Sequence, residues 1–323
     1  MRTRRVLVTG ATGFVGAVVA RRLLERGHDV RALVRADYRR WRLQDLSGTI
    51  GVHVADFLDS AGLAALFSEL RPEWVVHLAA YGGYETQRNV SACVRTNVEA
   101  TVRLIDVASA HGVRRFINTG SSSEYGIKDH APHEDEPVEP NSLYAVTKSA
   151  GTAYARHIGR TGALHTTTLR LYSVYGPFEE PTRLVPTMIV FGLAGTYPPL
   201  VQPTTARDFV YVGDVATAYE TALEADLSPG AVYNIGSGKQ TTLQDVVDVS
   251  RATFSIKEAP SWGTMPQRLW DTTVWVANTS RTRAELGWTA STTFGEGFRR
   301  TAAWVSEPSE RRLHYERSRM PPV

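Results

Sequence analysis

The stretch Arg5-Val-Leu-Val-Thr-Gly10-Ala-Thr-Gly13-Phe-Val-Gly16 decides the fold. Its apolar run predicts a short buried strand over residues 5–9, and residues 13–26 predict a helix that follows almost at once. In such a loop the first glycine allows a tight turn, the second admits a pyrophosphate, and the third lets helix pack on strand. The helix N-terminus then offers free N–H groups and partial positive charge to the anion. The sequence therefore predicts a dinucleotide-binding site at its beginning.

The alternation of strand and helix continues through the first half of the chain. Further strands are predicted over residues 29–35, 52–55, 74–79, 115–119 and 166–171, and helices over 63–70, 90–111 and 142–160. This alternation predicts an α/β fold with a Rossmann-type, doubly wound parallel sheet covered by helices on both faces.

Beyond about residue 176 the alternation gives way to segments rich in proline and glycine. Helices are predicted there over residues 183–194, 214–225 and 243–254. We therefore predict a dinucleotide-binding Rossmann domain over residues 1–175, to which part of 205–235 returns. Residues 176–323 form mainly a smaller substrate-binding region, whose polar tail from about residue 306 we expect to be loosely ordered.

Composition excludes several classes of protein. Hydrophobic residues make up 42% of the 323 residues and charged residues 21%, which is typical of an ordinary globular protein. No apolar run approaches the roughly 18 residues of a membrane span, and the basic N-terminus precedes too short an apolar segment for a signal peptide. We expect a cytoplasmic protein without membrane association. The net charge of +3 is spread along the chain, which argues against nucleic acid as partner, and the lone Cys93 argues against a cysteine-based metal site.

The end of the second strand bears on the choice of dinucleotide. An acidic residue there would bind the ribose 2′-hydroxyl of NAD, whereas this strand ends in Arg35. A guanidinium suits a 2′-phosphate, so the sequence favours NADP over NAD, with Arg39, Arg40 and Arg42 close enough to assist. A solvated basic loop is the alternative. Asp56 is a candidate for the adenine amino group.

A tyrosine and a lysine four residues apart, Tyr144 and Lys148, lie near the start of a predicted helix and share one face. A nearby ammonium stabilises a phenolate and lowers the pKa of the phenol, which makes the tyrosine an acid/base candidate. The predicted strand 115–119 leads into a hydroxyl cluster at the sheet edge where ligands bind. We expect Ser121 to hydrogen-bond the reacting oxygen of the substrate beside Tyr144; for Ser122 and Ser123, turn-capping hydroxyls are an equally good interpretation.

Several motifs occur together in a familiar order. Besides the glycine loop and the Tyr144–Lys148 pair, they are His77-Leu-Ala-Ala80, Thr96-Asn97-Val98, Ser121-Ser-Ser-Glu-Tyr-Gly126, Arg170-Leu-Tyr-Ser-Val-Tyr-Gly-Pro177, Arg207-Asp-Phe-Val-Tyr-Val-Gly-Asp214 and Glu285-Leu-Gly-Trp288. As a set they resemble the extended short-chain dehydrogenases that act on nucleotide sugars: UDP-sugar 4-epimerases, sugar 4,6-dehydratases and 4-ketoreductases. The resemblance extends to about residue 304.

The resemblance implies site residues. Ser121, Tyr144 and Lys148 resemble the catalytic triad, Asn97 the helix asparagine near the active site, and Arg207 and Arg268 the arginines that grip the substrate diphosphate. The predicted cofactor-binding residues are Gly10, Thr12, Gly13, Phe14, Val15, Gly16, Arg35, Asp56, Phe57, Leu78, Ala79, Ala80, Asn97, Thr119, Tyr144, Lys148 and Tyr172. The predicted substrate-binding residues are Tyr81, Ser122, Ser123, Ser173, Arg183, Arg207 and Arg268. No metal is expected. The family resemblance implies a homodimer joined through helices 90–111 and 142–160.

Departures from the family pattern narrow the reaction. In the dehydratases acidic residues follow the strand-end hydroxyl, whereas here Ser122 and Ser123 take those places and Glu124 comes one position late. Dehydration is therefore disfavoured. Ser173 replaces the usual asparagine before Val-Tyr-Gly-Pro, and residues 265–271 differ from the common Arg-Pro-Gly-Asp form, which indicates an unusual base or sugar.

These residues predict an NAD(P)-dependent nucleotide-sugar 4-epimerase, in which Tyr144 is the acid/base of a transient 4-keto sugar. An NADPH-dependent 4-ketoreductase is the main alternative, which Arg35 favours. A dehydratase or a non-catalytic dinucleotide-binding protein on the same fold are further alternatives.

Overall fold

The computed structural model describes residues 2–84, 86–266, 272–307 and 310–317. Its centre is a seven-stranded sheet in the order β10-β6-β5-β4-β1-β2-β3, and two small two-stranded sheets accompany it. The strands are β1 (Arg5–Thr9), β2 (Asp29–Val34), β3 (Gly51–Val54), β4 (Trp74–His77), β5 (Arg115–Ser121), β6 (Thr166–Leu171), β7 (Ser173–Tyr175), β8 (Ala206–Arg207), β9 (Phe209–Tyr211), β10 (Ala231–Ile235) and β11 (Thr241–Thr242).

Every neighbouring pair in the large sheet is parallel. The predicted Rossmann-type α/β fold is thus confirmed. The strand order reverses between β1 and β4, and this switch point leaves a crevice at the carboxyl ends of those strands. The seventh strand, β10, comes from the part of 205–235 that was predicted to return to the sheet.

The helices predicted over residues 13–254 lie close to their expected positions, whereas the last two helices of the chain were not predicted. They are α1 (Phe14–Glu25), α2 (Ser60–Leu70), α3 (Val90–Val94), α4 (Ala100–Ala110), α5 (Leu143–Thr161), α6 (Leu184–Leu193), α7 (Val212–Glu224), α8 (Leu243–Phe254), α9 (Phe294–Ser306) and α10 (Glu310–Arg317). The single long helix expected over 90–111 is interrupted between α3 and α4 by a π-helical turn, Arg95–Glu99. Among the described residues, we find no helix that combines the length and the apolar character needed to cross a bilayer.

Apolar clusters cover both faces of the sheet. Val6 and Val8 pack in one cluster with α1 and α7, while Leu7 between them packs in the other with α2 and α4. This alternation follows from the two-residue period of a strand, and both faces are apolar because helices cover both. A third cluster, built mainly by α6, α8 and α9, fills the C-terminal region.

Part of the tail that we expected to be loosely ordered is helical. Helix α10 buries Tyr315, whose hydroxyl donates a 2.5 Å hydrogen bond to the backbone oxygen of Glu179. Ring contacts of Trp304 with Tyr315 and with Phe178 extend this packing. The division into a domain over 1–175 and a substrate-binding region over 176–323 remains our proposal.

A buried ion pair joins β6 to the turn that follows β5. Glu124, fully buried, accepts a 2.9 Å hydrogen bond from Arg170 Nε, and it also accepts from the Ser121 backbone and the Thr152 hydroxyl. Arg170 donates further to the Tyr125 hydroxyl and to the backbone oxygen of Glu134. These bonds satisfy the carboxylate and fix the backbone of Ser121 at the sheet edge.

We predict that Arg170→Met lowers the free energy of unfolding by about 3–5 kcal/mol, because it leaves the Glu124 carboxylate buried without its counter-charge. Urea titration measures the change. Arg156→Met is the control, since its pair with Asp135 is partly exposed and should contribute less than about 1 kcal/mol. The double variant Arg170→Met/Glu124→Gln should recover part of the loss; equal effects of Arg170→Met and Arg156→Met would contradict the prediction.

Candidate active site

The glycine loop brings the start of α1 against the end of β1. Gly10 has φ +70, and a Cβ there would lie 2.6 Å from the Leu78 carbonyl carbon and the Ala79 nitrogen. A Cβ on Gly16 would lie 2.2 Å from the Gly10 oxygen. Neither position has room for a side chain, so the backbones meet directly. This is the packing that the three-glycine spacing predicts for a dinucleotide loop.

The N-terminus of α1 is open to an anion. Gly13 is its N-cap residue and supplies no side-chain cap, and within α1, all of which is described, no acidic residue occupies the first turn. The first N–H groups of the helix therefore lack the side-chain acceptor that usually satisfies them. Together with the glycine backbone contacts, this arrangement fits a pyrophosphate, and Thr12, Phe14 and Val15 border it.

The segment after β4 is held by Asn97, which is buried in the π-helical turn. Its Oδ1 accepts from the Tyr81 nitrogen at 2.9 Å, and its Nδ2 donates to the Tyr81 oxygen at 2.7 Å and to Thr147 Oγ1 at 2.9 Å. Asn97 thus fixes residues 78–81 against α5. Its amide is occupied by protein partners, so its place in the site is that of a support for Leu78, Ala79, Ala80 and Tyr81. Such π-helical turns are frequent at functional sites.

His77 is a buried support that sequence reasoning missed. Its ring nitrogens hydrogen-bond the hydroxyls of Thr9 at 2.7 Å and Thr101 at 3.0 Å, and Thr9 also accepts from the Ala79 nitrogen. Burial, and secondarily the charge of Lys148, lowers the pKa of His77 to about 3, so the ring is neutral. The sequence signal for this role was the motif His77-Leu-Ala-Ala80, in which a histidine stands at the end of an apolar strand.

The residues predicted to bind the adenosine half of the dinucleotide differ in their exposure and in their partners. Arg35 is largely exposed and lies 3.5 Å from Asp37, and Asp56 is exposed and accepts from the Leu58 nitrogen. Phe57 is buried. Arg42, expected to assist Arg35, is buried instead: it donates to the backbone oxygens of Phe178 and Thr12 and pairs with Glu180. Its guanidinium is committed to protein groups.

The three predicted catalytic residues come together at the end of β5. Ser142 caps the start of α5 by accepting from the Ala145 nitrogen, which orients the first turn that carries Tyr144. The Ser121 hydroxyl hydrogen-bonds the Ser123 hydroxyl at 2.8 Å, and it lies close enough to the Tyr144 phenol to lower the pKa of that phenol. Lys148 follows one helical turn after Tyr144 and is buried. Nearby, Thr119 hydrogen-bonds Tyr219 at 2.7 Å.

Burial controls the charges of this group. Burial raises the pKa of Tyr144 to about 12, although the Ser121 hydrogen bond opposes the rise. Burial also lowers the pKa of Lys148 to about 8, while the Glu124 carboxylate acts in the opposite direction. In the protein alone at neutral pH, the phenol is protonated, the ammonium is largely charged and His77 is neutral. The site therefore holds a proton ready on Tyr144.

The Glu124 carboxylate is already bonded to groups of the protein itself. Its carboxylate is occupied by Arg170, Thr152 and the Ser121 backbone, as described above. Ser122 is buried, and Ser123 faces Ser121. The acidic side chain that comes one position late is thus structural, which removes the candidate acid for water elimination.

The remaining predicted site residues follow β6 or lie beyond it in the chain. Ser173 starts β7 and pairs through its nitrogen with the Asp208 oxygen at 3.0 Å, and Tyr172 is buried with no hydrogen-bond partner for its hydroxyl among the described residues. Arg183 precedes α6, is half exposed, and acts electrostatically on Tyr144. Arg207 lies with its guanidinium 5.5 Å from the Trp275 ring centroid. Arg268 lies outside the described residues.

Asp208, within the motif that contains Arg207, has a structural role that sequence reasoning missed. It is fully buried and accepts from the backbone nitrogens of Ser237, Gly238 and Ala277. It therefore holds the loop after β10 beside Arg207. Across the described ranges, no group of histidine, cysteine and carboxylate side chains is arranged to hold a metal ion.

Comparisons with known proteins agree with this geometry. The profile of the NAD dependent epimerase/dehydratase family matches residues 6–236. A UDP-glucose 4-epimerase of Mycolicibacterium smegmatis is 31% identical, over 95% of this chain and 100% of its own. A dTDP-glucose 4,6-dehydratase of Streptomyces griseus is 30% identical, over 94% of both. The crystal structure of a Thermus thermophilus UDP-glucose 4-epimerase complexed with NAD superimposes with a TM-score of 0.83 at 28% identity, covering 94% of this chain and 100% of that one.

Proposed function

The chain belongs to the NAD dependent epimerase/dehydratase family, and from this premise we propose that it is a nucleotide-sugar 4-epimerase. The observation that carries the proposal is the grouping of Ser121, Tyr144 and the buried Lys148 at the carboxyl edge of the sheet that also carries the glycine loop. Relatives named as UDP-sugar 4-epimerases support the same reaction.

In this proposal each residue of the site has its own role. Gly10, Gly13 and Gly16 would hold the pyrophosphate of a nicotinamide dinucleotide, which would supply a reversible hydride acceptor for carbon 4 of the sugar. Tyr144 accepts the proton of the 4-hydroxyl and gives it back to the 4-keto oxygen, and Ser121 hydrogen-bonds the same oxygen. The positive charge of Lys148 stabilises the phenolate form of Tyr144. Rotation of the 4-keto sugar between the two transfers exposes its other face, which inverts carbon 4.

Particular residues argue for or against each of the two alternative reactions. A 4-ketoreductase would use the same Tyr144 only as proton donor, with NADPH consumed, and the exposed Arg35 favours it. A dehydratase requires a free acid beside the sugar, and Glu124 is occupied. Retention of both Tyr144 and Lys148 argues against a non-catalytic dinucleotide-binding protein.

The first experiment offers the purified chain UDP-, dTDP-, GDP-, ADP- and CDP-sugars with and without NADPH. We expect inversion at carbon 4 without net consumption of NADPH; stoichiometric consumption would instead identify a ketoreductase.

Tyr144→Phe should lower kcat at least about a hundredfold, because no other described group replaces the phenol as acid and base. Tyr154→Phe, on the same helix but bonded to Asp106, is the control that should retain activity. Unchanged turnover in Tyr144→Phe would reject the assignment.

We propose that the chain binds NADP in preference to NAD. The Thermus relative was solved with NAD, so the support comes from Arg35 alone, whose exposed guanidinium can reach a 2′-phosphate. Arg35→Ala should weaken NADP binding about tenfold or more and leave NAD binding unchanged, as measured by calorimetry. Arg251→Ala on α8 is the control. Tighter binding of NAD than of NADP by the unmodified chain would overturn the preference.

We further propose that the chain forms a homodimer through α3 and α5. Val90 and Val94 on α3, and Leu143 and Val146 on α5, leave between 37% and 60% of their surface exposed. Val146→Glu should yield a monomer in sedimentation or light-scattering measurements, because it places a charge in this apolar surface. Leu313→Glu, at an exposed apolar residue of α10, should leave the dimer intact. A monomeric unmodified chain would contradict the proposal.

A further inference from the structure

Two glycines border the ring of Tyr144, and the mechanism above makes no use of them. A Cβ added to Gly82 would lie 3.4 Å from Tyr144 Cδ2 and 2.9 Å from Cys93 Sγ, so no side chain fits there. A Cβ added to Gly83 would lie 3.9 Å from Tyr144 Cε2, the ring carbon next to the one that carries the hydroxyl. The bare backbone of this Gly82–Gly83 segment therefore faces one edge of the phenol ring.

The space beside this edge is accessible. Gly83 is exposed, and Tyr144 keeps part of its surface exposed. Apart from the chain neighbours of Gly83, Tyr144 is the only described residue within 4 Å of the added Cβ. The Gly82–Gly83 segment thus forms one side of the open space next to the phenol hydroxyl.

The side chain of Gln87 fixes the backbone of this segment. Gly82 has φ +95, a conformation in the region where glycine has unusual freedom, so contacts have to hold it. Gln87 Oε1 accepts from the Gly82 nitrogen at 2.9 Å and from the Tyr84 nitrogen at 3.4 Å. The Gln87 nitrogen in turn donates to the Tyr84 oxygen at 2.9 Å. One amide oxygen therefore ties the backbone on both sides of Gly83.

The chain before the two glycines is tied separately to α5, the helix that carries the phenol. Asn97 bonds both backbone groups of Tyr81 and also the Thr147 hydroxyl of that helix. The Tyr81 backbone is thus fixed without Gln87, whereas the glycines that follow it depend on Gln87.

We propose that Gln87 is a positioning residue, which holds the Gly82–Gly83 segment against the Tyr144 ring and so fixes the direction in which the phenol exchanges its proton. The inference rests on the proposed function, because it concerns the acid/base of that reaction. The outer torsion of a tyrosine side chain has a broad energy profile, so packing has to select the ring orientation. Proton transfer needs the hydroxyl within hydrogen-bond reach of the reacting oxygen, and a misplacement of about 1 Å can cost about a hundredfold in rate.

The first test compares two substitutions of Gln87 in the nucleotide-sugar reaction. Gln87→Leu keeps the approximate size of the side chain but removes the acceptor, and it should lower kcat about tenfold while KM changes less than about twofold. Gln87→Glu keeps an acceptor oxygen for the two N–H groups and should restore most of kcat. Thr86→Ala, at the exposed preceding residue, is the control that should change neither constant.

The second test follows the Tyr144 ring without any substrate. Protein labelled with 3-fluorotyrosine gives fluorine resonances from its 13 tyrosines, and the Tyr144→Phe variant identifies the resonance of Tyr144. Gln87→Leu should shift or broaden this resonance, because the ring samples more orientations once the glycine backbone is released. Gln87→Glu should return it to its original position, and Thr86→Ala should leave it there.

The two tests separate this proposal from the function itself. If the unmodified chain is an active epimerase and Gln87→Leu loses no more kcat than Gln87→Glu does, the positioning role is refuted while the function stands. An unchanged Tyr144 resonance in Gln87→Leu refutes the role as well. If the unmodified chain epimerises no nucleotide sugar, the proposed function fails, and the fluorine spectra alone then decide whether Gln87 holds the ring.

Discussion

The direct backbone contact between the start of α1 and the end of β1 is the constraint on which the rest of the site depends. Gly16 packs against the Gly10 carbonyl, and Gly10 packs against the backbone that follows β4. These contacts bring the open N-terminus of α1 to the switch point of the sheet. Because the other parallel strands end at the same edge, Ser121 at the end of β5 and Tyr172 after β6 lie at that edge too.

Two buried glutamates differ in what surrounds them. Glu124 has a guanidinium, a hydroxyl and a backbone N–H as donors, so its burial is compensated and it serves the structure. Glu179 is also buried, but one of its carboxyl oxygens lacks a partner among the described residues. Burial raises the pKa of Glu179 to about 8, so its carboxyl is mostly protonated at neutral pH. The number of donors therefore decides whether a buried carboxyl keeps its charge.

The sequence predicted what depends on local pattern. The glycine spacing, the strand and helix positions of the first half, and the Tyr144–Lys148 spacing follow from short-range geometry, and the structure places them as expected except for the π-helical turn that interrupts the helix over 90–111. What it could not predict depends on tertiary contacts. Arg42 lies among surface-like arginines in the sequence, yet it is buried between the glycine loop and Phe178. The tail beyond residue 306, expected to be loosely ordered, is held by the hydrogen bond from Tyr315 to the backbone oxygen of Glu179.

Burial shifts the two titrating catalytic groups in opposite directions. It raises the pKa of the Tyr144 phenol to about 12 and lowers that of the Lys148 ammonium to about 8, because the charged form of each is disfavoured away from water. The protein alone therefore keeps the Tyr144 phenol protonated at neutral pH. For Tyr144 to act as the base that we propose, positive charge near the phenol would have to lower its pKa. The proposed proton abstraction thus depends on binding of the positively charged group of a ligand beside the phenol.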